Sequence, residues 1–116
     1  VLYNPPLDAK VSTEEVFGPV VCVYPYQTID DAIAWANAEP VAFQAAVFTN
    51  HLDVTLRVYE RINASAVMVN DHTAFRVDGM PFAGLKLSGL GIGGIPYTMH
   101  DMQIEKMMVV KSKEIN

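Results

Sequence analysis

Three short apolar runs, each the length of one β-strand, most strongly limit the folds open to this sequence. They occupy residues 20–24, 45–48 and 66–69 and read VVCVY, AAVF and AVMV. An unbroken apolar run of this length is typical of a strand covered on both faces, as in a parallel sheet. We therefore expect the first run to be buried, and Cys22 within it to be a structural rather than a reactive thiol.

The first interval between these runs carries the pattern of an amphipathic helix. Thr28 is a suitable N-cap, and two aspartates follow it where the helix dipole favours negative charge. Ile29, Ile33 and Ala36 then recur at helical spacing, and Pro40 ends the pattern. The sequence therefore predicts a helix over most of this interval.

The second interval predicts another helix, capped by Asn50 or Asp53. We expect its buried stripe to consist of four apolar residues, Leu52, Leu56, Tyr59 and Ile62. The order strand, helix, strand, helix, strand predicts an α/β fold with right-handed crossovers and a mainly parallel sheet. Residues 71–100 show little periodicity and are predicted to be a long loop, whereas 104–110 are predicted to form a final strand.

Composition excludes several classes of protein. Of the 116 residues, 51% are hydrophobic and 18% are charged, which is too apolar for intrinsic disorder. The net charge of −5 argues against a nucleic-acid partner, and no apolar run reaches the ~18 residues of a membrane span. One cysteine and three dispersed histidines lack the spacing of a metal site. Because residue 1 is Val, we expect the chain to begin inside a longer protein.

A glycine-rich segment, residues 89–94, matches the dinucleotide-binding motif GxGxxG, with its glycines at 89, 91 and 94. That motif binds pyrophosphate only where a strand leads directly into the loop and a helix leaves it. Residues 81–88 do not have the pattern of a strand. A glycine-rich turn in which two backbones approach closely is therefore the preferred interpretation.

Two further segments have both a structural and a functional interpretation. Glu14, Glu15 and Phe17 precede a Gly-Pro turn, and they form either a solvated acidic turn or a ligand contact. Arg76 either pairs with Asp78, which we favour on local grounds, or presents its planar guanidinium to an anionic ligand.

Taken together, these motifs resemble the C-terminal part of the aldehyde dehydrogenase superfamily. The resemblance rests on five segments in order: 14–19 (EEVFGP), 32–33 (AI) with 36–37 (AN), 45–49 (AAVFT), 67–70 (VMVN), and 81–86 (PFAGLK) with 88–89 (SG). Ala83 replaces a frequent glycine, and residues 92–94 lack the Arg and Glu that many members carry. Residues 75–78 (FRVD) and 89–99 (GLGIGGIPYTM) resemble the lactaldehyde, phosphonoacetaldehyde and non-phosphorylating glyceraldehyde-3-phosphate dehydrogenases, which handle small oxygenated or anionic aldehydes.

The resemblance implies a fold and an assembly. Residues 1–102 would be the C-terminal part of a three-layer, mainly parallel catalytic domain, and 103–116 would be an oligomerisation strand and tail. We expect a homo-oligomer, without nucleic-acid or membrane partners, in the cytoplasm.

The resemblance also implies a reaction, the oxidation of an aldehyde to a carboxylic acid through a cysteine thioester, with NAD or NADP as cofactor. Glu15 would hold the nicotinamide ribose and Phe17 would pack beside the nicotinamide ring. Phe75 and Phe82 would lie at the substrate entrance, and Arg76 would contact an anionic substrate group.

The catalytic residues of the family have no counterpart here. Its nucleophile, its general base and its nucleotide-binding domain precede the matched region, and Cys22 matches no catalytic position. We therefore expect the chain to be an inactive fragment of an active NAD(P)-dependent enzyme. The alternative is a non-catalytic α/β module whose activity is interaction or self-assembly.

Overall fold

The computed structural model describes residues 1–114, and these form short strands and helices in alternation. The strands are β1 (Leu2–Tyr3), β2 (Cys22–Val23), β3 (Val41–Ala42), β4 (Gln44–Val47), β5 (Ala66–Val69) and β6 (Leu85–Lys86). The helices are α1 (Lys10–Thr13), α2 (Ile29–Ala38), α3 (Leu52–Arg61) and α4 (Ile95–Asp101). The α/β class predicted from the sequence is confirmed.

The strands of the described chain form three separate pairs rather than one sheet. β4 and β5 pair in parallel across the α3 crossover, with Gln44 opposite Ala66 and Val47 opposite Val69. β1 and β2 are also parallel, whereas β3 and β6 are antiparallel. Parallel pairing thus predominates, but β2 pairs with β1 and does not join β4 and β5.

The core lies between the β4–β5 pair and the two longer helices. Ile33 of α2, Val47 of β4 and Val58 of α3 are its buried residues. Four half-buried apolar residues pack against them: Ile29, Val54, Ile62 and Val67. The predicted contribution of Ile29 and Ile33 is correct, but Ala36 is exposed.

The predicted buried stripe of α3 is wrong in three of its four positions. Leu52, Leu56 and Tyr59 are 70%, 48% and 68% exposed, whereas the helix packs through Val54, Val58 and Ile62. The helix carries apolar residues on two faces, and its own sequence cannot determine which of them packs on β4 and β5.

The ends of the two helices differ in how closely they follow prediction. Thr28 caps α2 in a capping box, in which its hydroxyl accepts from the Asp31 N–H and the Asp31 carboxylate accepts from the Thr28 N–H. The N-cap of α3 is His51, without a side-chain bond, so neither Asn50 nor Asp53 caps it as predicted. Asp53 instead lies in the first turn, where the helix dipole favours its negative charge.

The first apolar run is not the buried strand that the sequence predicts. Only Cys22 and Val23 are paired, and Val20, Val21 and Val23 are 41%, 57% and 43% exposed. Cys22 is half-buried, and its thiol lies 3.7 Å from the Val11 carbonyl oxygen. The prediction fails because residues 1–114 provide no second layer over this strand.

The segment predicted as a loop, 71–100, contains regular structure at its C-terminal end. β6 lies within it, so the prediction that 81–88 contain no strand is wrong, and α4 begins within it and ends at Asp101. Phe82 exchanges two backbone hydrogen bonds with Gly93, at 3.0 and 2.7 Å. A Cβ atom at Gly93 would lie 3.3 Å from the Phe82 carbonyl oxygen. The close backbone approach predicted for the glycine-rich turn is confirmed.

The C-terminal segment projects from the rest of the chain. Residues 103–112 form no helix or strand, and their larger apolar side chains are 66–94% exposed: Ile104, Met107, Met108, Val109 and Val110. The radius of gyration is 20.8 Å, against about 13 Å for a compact domain of this length. A strand at 104–110 therefore has no pairing partner within the described chain, and its role in oligomerisation stays a prediction.

The described residues contain neither a membrane-spanning helix nor a cluster of metal-binding side chains. No helix between residues 1 and 114 is long and apolar enough to span a membrane. Over the same residues, no group of three or more His, Cys, Asp or Glu side chains has an arrangement that would hold a metal ion.

Candidate functional site

The first candidate segment is the acidic turn, residues 14–19, between α1 and β2. Glu14 ends α1, and its N–H donates to the Lys10 carbonyl at 2.8 Å. The Tyr24 hydroxyl donates to the Ser12 hydroxyl at 2.6 Å, which connects α1 to the chain after β2. The turn is therefore attached at both of its ends.

The two predicted cofactor residues lie in this turn and are exposed. The Phe17 ring is 95% exposed, and Glu15 is exposed beside it. Neither side chain makes a hydrogen bond or an ion pair to another residue of 1–114. Both are thus available to a molecule that approaches from outside the described chain.

Glu15 lines a cleft of about 880 Å³ between the acidic turn and the β3–β6 pair, which we call the larger cleft. Its other lining residues include Glu14, Glu39, Phe43, Gln44, Asn63, Phe82 and Ser88. Phe17 does not line this cleft. The structure therefore places Glu15, but not Phe17, beside one of the predicted substrate residues.

One wall of the larger cleft is held by polar contacts around the end of α2. The Lys86 ammonium donates to the carbonyls of Asn37 and Glu39, both at 2.7 Å, where the helix dipole favours a cation. The Ser88 hydroxyl accepts from the Ala42 N–H at 3.1 Å. These bonds attach β6 and the residues after it to α2 and β3.

A smaller cleft of about 390 Å³ brings together all three predicted substrate residues. Phe75, Arg76 and Phe82 line it, with Phe43, Gln44, Thr73 and Ala74. Phe75 and Arg76 belong to residues 71–82, a segment exposed except at the half-buried Met80, which we call the substrate loop after its predicted substrate residues. Residues seven positions apart in the chain thus converge on one cavity.

Within this smaller cleft, aromatic contacts orient Arg76. Its guanidinium carbon lies 4.3 Å from the centroid of the Phe82 ring. Phe82 in turn packs edge-to-face on Phe43, with 4.7 Å between the two ring centroids. No ion pair joins Arg76 to Asp78 among the residues described, so the favoured local interpretation is wrong. This contact with the ring uses no hydrogen-bond acceptor, so the N–H groups of the guanidinium stay available to an anion.

The two clefts adjoin, because Phe43, Gln44 and Phe82 line both of them. Sequence reasoning identified Phe82 and missed the other two. Gln44 is a polar residue at the start of an otherwise apolar strand, and that interruption is the signal that would have found it. Phe43 offers no such signal, since an aromatic residue before a strand is common.

Comparison with known proteins identifies the family. A model of the aldehyde dehydrogenase family matches residues 1–108. The chain belongs to the aldehyde dehydrogenase family. The resemblance predicted from the five sequence segments is thereby confirmed.

Individual family members match over nearly the whole chain. The 3-sulfolactaldehyde dehydrogenase of Priestia megaterium is 38% identical over 110 residues, which are 95% of this chain and 23% of that protein. Aldehyde dehydrogenase 21 of Physcomitrella patens, solved with the reaction product succinate, superposes with a TM-score of 0.89. That match has 33% identity and covers 98% of this chain and 24% of the other.

A third member was solved with a cofactor. Glyceraldehyde-3-phosphate dehydrogenase GapN of Methanocaldococcus jannaschii, complexed with NADP, superposes with a TM-score of 0.68 at 36% identity. This match covers 74% of the present chain and 19% of that protein. The chain thus spans about a quarter of the length of the relatives that it matches.

Proposed function

We propose that this chain provides the nicotinamide-ribose contact and the substrate loop of an NAD(P)-dependent aldehyde dehydrogenase. The proposal depends on one observation, that the two clefts adjoin at Phe82. Glu15 lines one of these clefts, and Phe75 and Arg76 line the other. An aldehyde oxidation by hydride transfer requires cofactor and substrate sites that meet.

The residues of the acidic turn fit a nicotinamide nucleotide. When it is bound, the oxidised nicotinamide supplies the hydride acceptor. The carboxylate of Glu15 has no hydrogen-bond or ion-pair partner within residues 1–114, so it would be able to accept hydrogen bonds from the vicinal hydroxyls of a ribose. The exposed ring of Phe17 packs against a flat ring that approaches from solvent.

The residues of the smaller cleft fit a small aldehyde that carries an anionic group. Phe75 and Phe82 exclude water from the aliphatic part of such a substrate, and Arg76 donates paired hydrogen bonds to its anion. Two relatives support this substrate class, a 3-sulfolactaldehyde dehydrogenase and an aldehyde dehydrogenase solved with the reaction product succinate.

The nucleophile of the proposed reaction comes from outside the described chain. Cys22 lines neither of the two clefts, and its half-buried thiol lies against the Val11 carbonyl. Glu15 and Arg76 accordingly bind and orient, and the thioester forms on a cysteine of the remaining domain. We propose further that the whole protein has the three-layer catalytic fold of the family and lies in the cytoplasm. In the same proposal, residues 104–110 form a strand that contacts another subunit.

The test uses a hybrid enzyme, in which this chain replaces the matching segment of the Priestia megaterium 3-sulfolactaldehyde dehydrogenase. We expect the hybrid to reduce NAD or NADP in the presence of an anionic aldehyde. The absorbance of the reduced nicotinamide measures this reaction. A folded hybrid that binds the cofactor but oxidises no aldehyde would contradict the proposal and favour a non-catalytic interaction module.

Glu15→Gln in the hybrid tests the cofactor contact. Loss of a hydrogen bond to a charged acceptor, about 1.5–3 kcal/mol, should slow hydride transfer by roughly 10- to 100-fold. Glu14→Gln is the matched control, because this neighbouring carboxylate lines the same cleft without a predicted ribose contact. Single-turnover rates that are unchanged in Glu15→Gln would refute the assignment.

A further inference from the structure

Asn70 occupies a strained position between the sheet and the substrate loop. It directly follows β5, the second strand of the parallel β4–β5 pair, and its φ of 57° lies in the left-handed region. Few residues other than glycine adopt this region, and asparagine is among those that tolerate it best. The chain turns at Asn70 and leaves the sheet as the substrate loop.

The side chain of Asn70 joins the ends of the two strands. Its Oδ1 accepts from the Thr49 N–H at 2.8 Å, and its Nδ2 donates to the Thr49 carbonyl at 2.9 Å. Its own N–H donates to the Val47 carbonyl at 2.8 Å. Three hydrogen bonds therefore attach this one residue to Val47, the last residue of β4, and to Thr49 just after it. A side-chain amide has the donor and the acceptor that this arrangement requires, on two separate atoms.

The substrate loop has few other attachments. All of residues 71–79 are exposed, and their backbone hydrogen bonds are local, such as that from the Phe75 N–H to the His72 carbonyl at 3.2 Å. At its far end the loop is attached through Phe82, which pairs with Gly93 and packs on Phe43. Arg76 and Asp78 also line a cleft of about 410 Å³ with residues of α4, but no backbone hydrogen bond joins residues 71–79 to that helix in the described chain. The hydrogen-bonded attachments that position Arg76 are therefore those at the two ends of the loop.

We propose that Asn70 is a positioning residue, whose amide sets the path of the substrate loop so that Arg76 stacks on Phe82 in the smaller cleft. The inference rests on the proposed function for its consequence in catalysis, but its geometric part stands on this chain alone. Asn70 contacts neither cleft itself and acts through Arg76.

The first test needs no activity and uses NMR spectroscopy of the full 116-residue chain. The Phe82 ring should shift the side-chain protons of Arg76 upfield, because the guanidinium lies over it. Asn70→Gly keeps the backbone conformation and removes the amide, and Asn70→Asp keeps one acceptor and loses the donor. We expect the upfield shift to disappear in both variants while the β4–β5 amides keep their protection from exchange.

The matched control is Asn50→Asp. Asn50 is an exposed asparagine near the same end of the strand pair, and its side chain makes no hydrogen bond within the described residues. The upfield shift should persist in this variant. Persistence of the shift in Asn70→Gly would overturn the inference. Loss of β4–β5 protection in both Asn70 variants would also overturn it, since Asn70 would then be required for the sheet and not for the loop.

A second test measures the consequence in the hybrid enzyme. Asn70→Gly should raise the KM for an anionic aldehyde roughly tenfold, as expected when a charged hydrogen bond is misaligned. The kcat for an uncharged aldehyde should remain within about twofold, since misalignment of Arg76 affects only a charged substrate group. Equal effects on both aldehydes would overturn the positioning role. If the hybrid oxidises no aldehyde at all, the proposed function fails, whereas the NMR result still decides the geometric inference.

Discussion

Arg76→Gln should abolish the preference of the hybrid enzyme for anionic over uncharged aldehydes. The guanidinium is stacked on Phe82 at 4.3 Å and has no ion-pair partner in residues 1–114. The substitution therefore removes a charge without breaking an internal salt bridge. The change should affect substrate binding far more than folding.

The magnitude follows from the geometry of the smaller cleft. A hydrogen bond to a charged group contributes about 1.5–3 kcal/mol, and an Arg–carboxylate contact has two of them. Because Arg76 lies on an exposed loop, solvent screens the contact. We therefore take 1.5–3 kcal/mol for the pair, which corresponds to a KM increase of roughly 10- to 100-fold.

The assay compares an anionic aldehyde with an uncharged aldehyde of similar length, for example succinic semialdehyde and butyraldehyde, in the hybrid enzyme. Only the KM for the anionic substrate should rise, and Arg76→Lys should give an intermediate value because the charge remains but the planar fork is lost. Arg57→Gln is the control, since Arg57 pairs with Asp30 at 3.6 Å and lines neither cleft. Parallel increases for both aldehydes, or an equal effect of Arg57→Gln, would refute the reasoning.

Three further predictions concern stability and can be measured by urea unfolding followed by circular dichroism. Val58→Ala should lower the free energy of unfolding by about 2 kcal/mol, because Val58 is 4% exposed, whereas Leu56→Ala at 48% exposure should cost less; equal losses would contradict the observed packing of α3. Thr28→Ala should cost about 1 kcal/mol by removing the capping box, and an unchanged midpoint would show that the cap contributes nothing. Gly84→Ala should destabilise the chain more than Gly79→Ala, since its Cβ would lie 2.6 Å from the backbone of Ser88 and Gly79 has open space; equal stability would contradict this close approach.

Local signals in the sequence were sufficient for the elements that depend on neighbours in the chain. The capping box at Thr28 and the end of α2 before Pro40 follow from contacts within one turn of helix. The parallel pairing of β4 and β5 follows from the intervening helix, because a crossover of that kind returns the chain in the same direction. The family resemblance also required only the order of short segments.

Local signals failed where a residue's environment depends on distant parts of the chain. The apolar runs at β2 and α3 identify surfaces that can be buried, but contacts far away in sequence determine which face is covered. Leu52 and Tyr59 are exposed for this reason, and Arg76 stacks on an aromatic ring six residues away instead of pairing with Asp78. β6 and α4 were missed because each is short and lies among glycines.

The sequence by itself determined the α/β class, the capped helix α2, the parallel β4–β5 pair and the five segments that identify the family. Tertiary structure alone decided that Phe75, Arg76 and Phe82 line one cleft, and that this cleft adjoins the one lined by Glu15. The physical reason is the sequence separation of the residues that interact. Helix caps and helical spacing involve residues a few positions apart, whereas a cleft forms where segments dozens of positions apart pack together.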